Sequence, residues 1–123
     1  MVDPPNTDKF EDLVEWAYST LPSKIRNLPD FPGIQVVDEP PEEMTKRRRP
    51  RPGTELLGCY AGISRTERSF TRIPITPDLI FVFRGPILRC SRGNLPAEVK
   101  NVVWHEVAHW LGHNEEEVRE LGL

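Results

Sequence analysis

The stretch Val103-Trp104-His105-Glu106-Val107-Ala108-His109-Trp110-Leu111-Gly112-His113-Asn114-Glu115 constrains this chain more than any other part of it. It holds a His-Glu-x-x-His pattern with a glycine three residues further on. Side chains four apart on an α-helix stack on one face, so His105 and His109 can grip a single metal ion. At 3.6 residues per turn Glu106 is rotated about 100° from His105, where it can work on a bound water instead of ligating. With His105 taken as zero, Val103, Trp104, Val107, Trp110 and Leu111 fall in an arc centred near about 200°, opposite the histidines. The helix can therefore bury that arc and leave the imidazoles facing a cleft. Gly112 suits its end, because glycine enters the left-handed region without a Cβ penalty. Asn94 and Pro96 supply cap and first-turn signals, which predict a helix over 95–111. An ordinary amphipathic helix with two polar-face histidines is the competing reading. The glycine, the acid two residues past His113 and the gathering of all three histidines into one short stretch favour a metal site.

With 123 residues the chain is read as one domain over 8–123 after a disordered lead-in over 1–7. That length buries roughly two-thirds of the unfolded surface. A formal charge of −3 gives no global reason to expect a nucleic-acid or anionic-membrane partner. No apolar run approaches the roughly 20 residues that span a bilayer. Met1 to Asp8 carries acid and proline where a signal peptide carries lysine and an apolar core, so a cytoplasmic location is expected. Cys59 and Cys90 lack metal-binding spacing and read as reduced core thiols.

Thr7 or Asp8 is placed to cap a first helix with apolar positions Phe10, Leu13, Val14, Ala17 and Leu21, three and four apart. Pro22 opens a second, short helix carrying Ile25 and Leu28. Pro29 and Pro32 end that run. Gly33 to Val37 reads as a strand, and Asp38 to Glu43 as the lead into a loop. The charge run Lys46-Arg47-Arg48-Arg49-Pro50-Arg51 sits between prolines without interleaved aromatics and reads as a solvated loop, with a nucleic-acid role as the alternative. Leu56 to Ile63 reads as a second strand whose glycines permit a bulge or close approach. Arg65 to Arg72 is turn-like. Leu79 to Phe83 is the clearest strand of the chain. Ile87-Leu88 suggests a helical turn, and Asn114 with Glu117 suggests a capping box for a last helix. Helices first, strands in the middle and helices last make an α+β domain.

These residues resemble a known family, the small zincin-like metallopeptidases of bacteria, single-domain proteins carrying HExxHxxGxxD. The likeness runs through Leu56-Leu57-Gly58-Cys59-Tyr60-Ala61-Gly62, Thr66-Glu67-Arg68-Ser69, Pro77-Asp78-Leu79-Ile80-Phe81-Val82-Phe83, Pro86-Ile87-Leu88-Arg89 and the ending Glu120-Leu121-Gly122-Leu123. It implies a minimal zincin, with a small mixed sheet, an N-terminal helix and the HExxH helix. It also implies no methionine turn, in keeping with methionines only at positions 1 and 44. Two departures stand out. Glu115 occupies the position of the family's aspartate, and Leu123 replaces an often aromatic C-terminal residue.

The expected chemistry is zinc-dependent hydrolysis of peptide bonds, with Glu106 taking a proton from water and passing it to the leaving amine. His105, His109 and Glu115 form the expected ligand set. His113 is the alternative third ligand, and the acids 115–117 also suit a helix N-terminus without any ligating role. Geometry favours Glu115, because two residues beyond His113 give the chain room to return toward the histidines, as in the HExxHxxGxxH zincins. Tyr60 is a candidate oxyanion stabiliser, with a simple packing role as its competitor. The expected partner is a peptide or unfolded protein, not a membrane or nucleic acid, and a homodimer is left open. The two other function classes are a zinc-dependent endoribonuclease and a metal-binding interaction module with weak or no catalysis. The ribonuclease pattern HGxxHxxGxDH has glycine where this chain has Glu106 and histidine where it has Glu115.

Overall fold

Leu79-Ile80-Phe81-Val82-Phe83 is an unbroken run of β-branched and aromatic residues, the composition of a strand covered on both faces. A computed structural model describes residue 4 and residues 9–48, 50–61 and 78–112 of the chain, and it places that run at the centre of a three-stranded sheet. Strand β1 (Gly33–Val37) lies on one side, β2 (Gly58–Ala61) on the other, and β3 (Leu79–Phe83) between them. β1 pairs with β3 in parallel, Gly33 opposite Leu79 and Val37 opposite Phe83. β2 pairs antiparallel, Gly58 opposite Val82 and Ala61 opposite Leu79. The sheet is therefore mixed, and the fold is α+β. Ile80, Val82 and Phe83 lose all contact with solvent; each such burial contributes roughly 1.5–3 kcal/mol.

The helices follow the apolar spacing. Helix α1 (Phe10–Ser19) buries Phe10, Leu13, Val14 and Ala17, and Leu21 just beyond it is buried as well. Its N-cap is Lys9, with extended backbone and no side-chain capping bond. The expected caps Thr7 and Asp8 lie outside the described residues, as do the lead-in apart from residue 4 and the helix expected after Asn114. Helix α2 (Ser23–Arg26) is the short turn opened by Pro22, and Ile25 and Leu28 pack half-buried against the core. α4 (Arg84–Cys90) follows β3 directly, longer than the expected turn at Ile87-Leu88. α5 (Leu95–Trp110) is capped by Asn94, whose Oδ1 accepts from the Ala97 N–H at 3.3 Å. α5 lies against β2 and β3, and α1 packs along α5. α5 ends as expected: Gly112 has φ 102°.

Two expectations are corrected. The segment read as a loop contains α3 (Glu42–Arg48). Pro41 stands before its first turn, Glu42 and Glu43 sit at its positive end, and Lys46 Nζ reaches Glu42 Oε1 at 3.3 Å, four residues away. Acids first and bases last suit the helix dipole, so charge order outweighs the flanking prolines. Cys59 is a buried free thiol as expected, but Cys90 is exposed. It ends α4 on the side away from the core, with its Sγ donating to Glu55 Oε2 at 3.7 Å. Among the described residues no helix is long and apolar enough to cross a membrane.

Candidate active site

Among the described residues α5 is held to the core mainly by one side. Val99, Val103, Val107 and Trp110 are buried almost completely, while Trp104 and Leu111 of the predicted arc are half-buried at its margin. Trp104 Nε1 donates to Thr20 Oγ1 at 2.9 Å, which ties this margin to the end of α1. His105, Glu106 and His109 remain half-buried on the other side. The imidazoles meet as the four-residue spacing requires. Their Nε2 atoms are 3.1 Å apart and their rings lie edge-to-face. Two nitrogens bound at about 2.0–2.1 Å to one tetrahedral zinc ion would stand about 3.3 Å apart. The pair thus fits a shared metal with little change of rotamer.

Glu106 points to the sheet. Its Oε1 accepts from the Tyr60 backbone N–H at 2.9 Å. Tyr60 is on β2, an edge strand among the described residues, and this N–H faces away from β3, so a strand amide turned outward from the β3 ladder fixes the carboxylate. Oε2 has no hydrogen-bond partner among the described residues. Burial pushes the Glu106 carboxyl up from the usual range, against the opposing pull of His105, His109, the Tyr60 N–H and Arg48.

Gly58 makes this approach possible. A Cβ built there would lie 2.8 Å from Val102 Cγ1, 3.0 Å from the Phe81 carbonyl oxygen and 3.3 Å from Glu106 Cγ. The expected close approach at a β2 glycine is therefore real, and it is what lets the strand reach Glu106.

Tyr60 is buried, and its hydroxyl donates to Asp78 Oδ2 at 3.0 Å. Its peptide N–H is the group that meets Glu106. Arg48 belongs to this neighbourhood although sequence reasoning does not single it out. Its Nη2 donates to the Tyr60 carbonyl oxygen at 2.7 Å, and its charge acts on Glu106 and Cys59. The signal is present in the basic run, but only the end of α3 distinguishes this arginine. Among the described residues no three His, Cys, Asp or Glu side chains are grouped to hold a metal. The expected third ligand Glu115 and its alternative His113 lie outside the described residues.

With this geometry in view, comparison with known proteins is decisive on one point. The sequence profile of the zincin-like metallopeptidases matches residues 33–123. The chain belongs to that family. No curated protein matches it. A solved structure of a conserved hypothetical protein from Thermo thermophilus is similar at 22% identity, with a TM-score of 0.51. The alignment covers 92% of this chain and 94% of that one. At that identity the likeness speaks for the shared fold. The family profile starts at β1, so α1 and α2 precede the matched unit and pack beneath it.

Proposed function

We propose that this protein is a zinc-dependent peptidase in which His105 and His109 hold the metal, Glu115 completes the ligand set with His113 as alternative, and Glu106 is the general base. The observation that carries the proposal is the paired Nε2 atoms at 3.1 Å beside a carboxylate fixed by the Tyr60 N–H. When bound there, zinc would supply Lewis acidity toward a carbonyl and a water with its pKa brought down toward about 7. The protein's own part is positioning. Oε1 of Glu106 is anchored, so the open Oε2 is the atom that takes a proton from water and delivers it to the departing amine nitrogen. Neutral imidazole is required at His105 and His109, so metal binding weakens on acidification. The substrate is an extended peptide or unfolded protein, since the histidine pair and Glu106 stand beside β2, an edge strand among the described residues.

The test pairs metal analysis with proteolysis of unfolded casein, structured RNA serving as the control substrate. Wild-type protein is expected to hold about one zinc per chain and to cut casein alone. Glu106→Gln should retain the metal and lose at least about 100-fold in rate, because an amide cannot accept the proton. His105→Ala with His109→Ala should lose the metal. Stoichiometric zinc in that double variant, or full proteolysis by Glu106→Gln, overturns the assignment.

A further inference from the structure

The other edge of the sheet carries features that peptide hydrolysis leaves unused. β1 is an edge strand among the described residues. In its parallel register Gly33 donates to the Asp78 carbonyl at 3.3 Å, so Gly33, Gln35 and Val37 aim their peptide groups at β3. Ile34 and Val36 then aim theirs outward. No hydrogen bond is made by either outward pair of N–H and C=O groups among the described residues. Native sheets usually cover, charge or bulge such an edge. This one instead opens into a groove of about 630 Å³ between β1 and α1. Its floor is apolar, with Val14, Tyr18 and Phe31 beside Ile34 and Val36. Phe31 is fixed edge-to-face between Tyr18 and the buried Trp110, at 5.4 and 5.3 Å between ring centres, so the wall is preformed.

The rim selects the occupant. Glu11 and Glu15 stand one turn apart on the exposed side of α1 over the groove, and neither has an ion-pair partner among the described residues. A second copy pairing β1 to β1 about a twofold axis would bring four of these glutamates together. Charge disfavours that arrangement. A strand with arginine or lysine at its inward positions meets the opposite situation, its aliphatic stems covering Val14 and Tyr18 while its cations reach the two carboxylates.

We propose that the β1 edge is a docking site, separate from the metal centre, for an extended basic segment of a partner polypeptide that adds a fourth strand beside Ile34 and Val36 under the Glu11/Glu15 rim. Main-chain bonds would supply affinity and the acidic rim the preference for basic sequences.

The probe is an acetylated, amidated octapeptide of alternating arginine and valine, titrated into isotope-labelled full-length protein and followed by amide chemical shifts and hydrogen exchange. The Ile34 and Val36 amides should shift and gain protection. Glu11→Lys with Glu15→Lys, both exposed and compared at a temperature where the variant is fully folded, should weaken binding at least about tenfold. A peptide N-methylated at alternate backbone positions should bind at least about tenfold more weakly, since it cannot complete the ladder. Equal binding of the N-methylated peptide, or of an alternating glutamate–valine peptide, overturns the proposal. So does a response confined to α5 and β2, and so does self-association of the free protein that protects the Ile34 and Val36 amides.

Discussion

Gly58→Ala tests whether β2 touches α5 as closely as the structure has it. The added Cβ would stand 2.8 Å from Val102 Cγ1 and 3.0 Å from the Phe81 carbonyl oxygen. Neither neighbour can yield cheaply. Val102 is β-branched in mid-helix and nearly confined to one rotamer. The Phe81 carbonyl belongs to the central strand. The strand and helix must therefore separate by several tenths of an ångström, and overpacking of this kind costs about 2–3 kcal/mol. Loss of glycine's freedom in the unfolded chain offsets roughly 0.4–1 kcal/mol of that. A net loss of about 1–2.6 kcal/mol, divided by an unfolding entropy of about 2.1 cal/mol/K per residue, lowers the melting temperature by about 4–10 °C. Activity at a temperature where the variant is fully folded should fall as well, because Glu106 Cγ is 3.3 Å from the same Cβ. The control is Gly33→Ala, where the new methyl meets only the tip of Leu79 at 3.3 Å. Its melting temperature should stay within about 2 °C of wild type. Thermal unfolding followed by circular dichroism decides it. If Gly58→Ala melts no lower than Gly33→Ala, the packing of β2 on α5 is looser than described and the fixation of Glu106 by Tyr60 falls with it.

Tyr60→Phe separates two roles for one residue: loss of the bond to Asp78 should cost about 1–3 kcal/mol in urea unfolding with the rate per folded molecule kept within about threefold. A fall of about 100-fold in kcat without destabilisation would instead make the hydroxyl an oxyanion donor. Arg89 bonds both Glu39 and Glu55, at 2.6 Å to an oxygen of each, and these bonds hold both carboxyls below the ordinary range. Groups with lowered folded pKa stabilise above their unfolded pKa and lose that contribution as pH falls through the folded one. Arg89→Met should therefore be less stable than wild type from neutral pH down to about 4.5, with the gap closing on further acidification; a gap that persists unchanged at pH about 2.5 would refute the ion-pair account.

Periodicity makes the helices and strands legible. Phe10, Leu13, Val14, Ala17 and Leu21 are all buried, as their spacing of three and four predicts, and Val103, Val107 and Trp110 hold α5 by the expected side. The run from Leu79 to Phe83 marks the central strand for a different reason, continuous apolarity with β-branched residues. α3 escapes a reading by periodicity because its signals are electrostatic and local, Glu42 four residues before Lys46, in a segment with too few apolar residues to show a period. The strand expected over 56–63 starts later than its apolar run suggests: Leu57 lies outside β2, although its carbonyl still accepts from the Phe83 N–H at 2.9 Å. Gly62 and Ile63 lie outside the described residues.

The candidate site divides along the same line. His105, Glu106 and His109 can be read as a unit because one helix carries all three, and their relation is fixed by 3.6 residues per turn. What orients Glu106 cannot. Its partner is a main-chain N–H 46 residues earlier, and every non-proline residue offers such a group, so side-chain identity at position 60 carries no trace of the contact. The hydroxyl of Tyr60 draws attention for its chemistry and bonds Asp78, while the contact to Glu106 comes from the peptide group. Arg48 shows the converse. Its charge is conspicuous, but only the end of α3 distinguishes it from the other basic residues of the run. Gly58 is where the long-range contact does mark the sequence. A strand interior disfavours glycine, and any side chain there would push β2 off Val102 and draw the Tyr60 N–H away from Glu106.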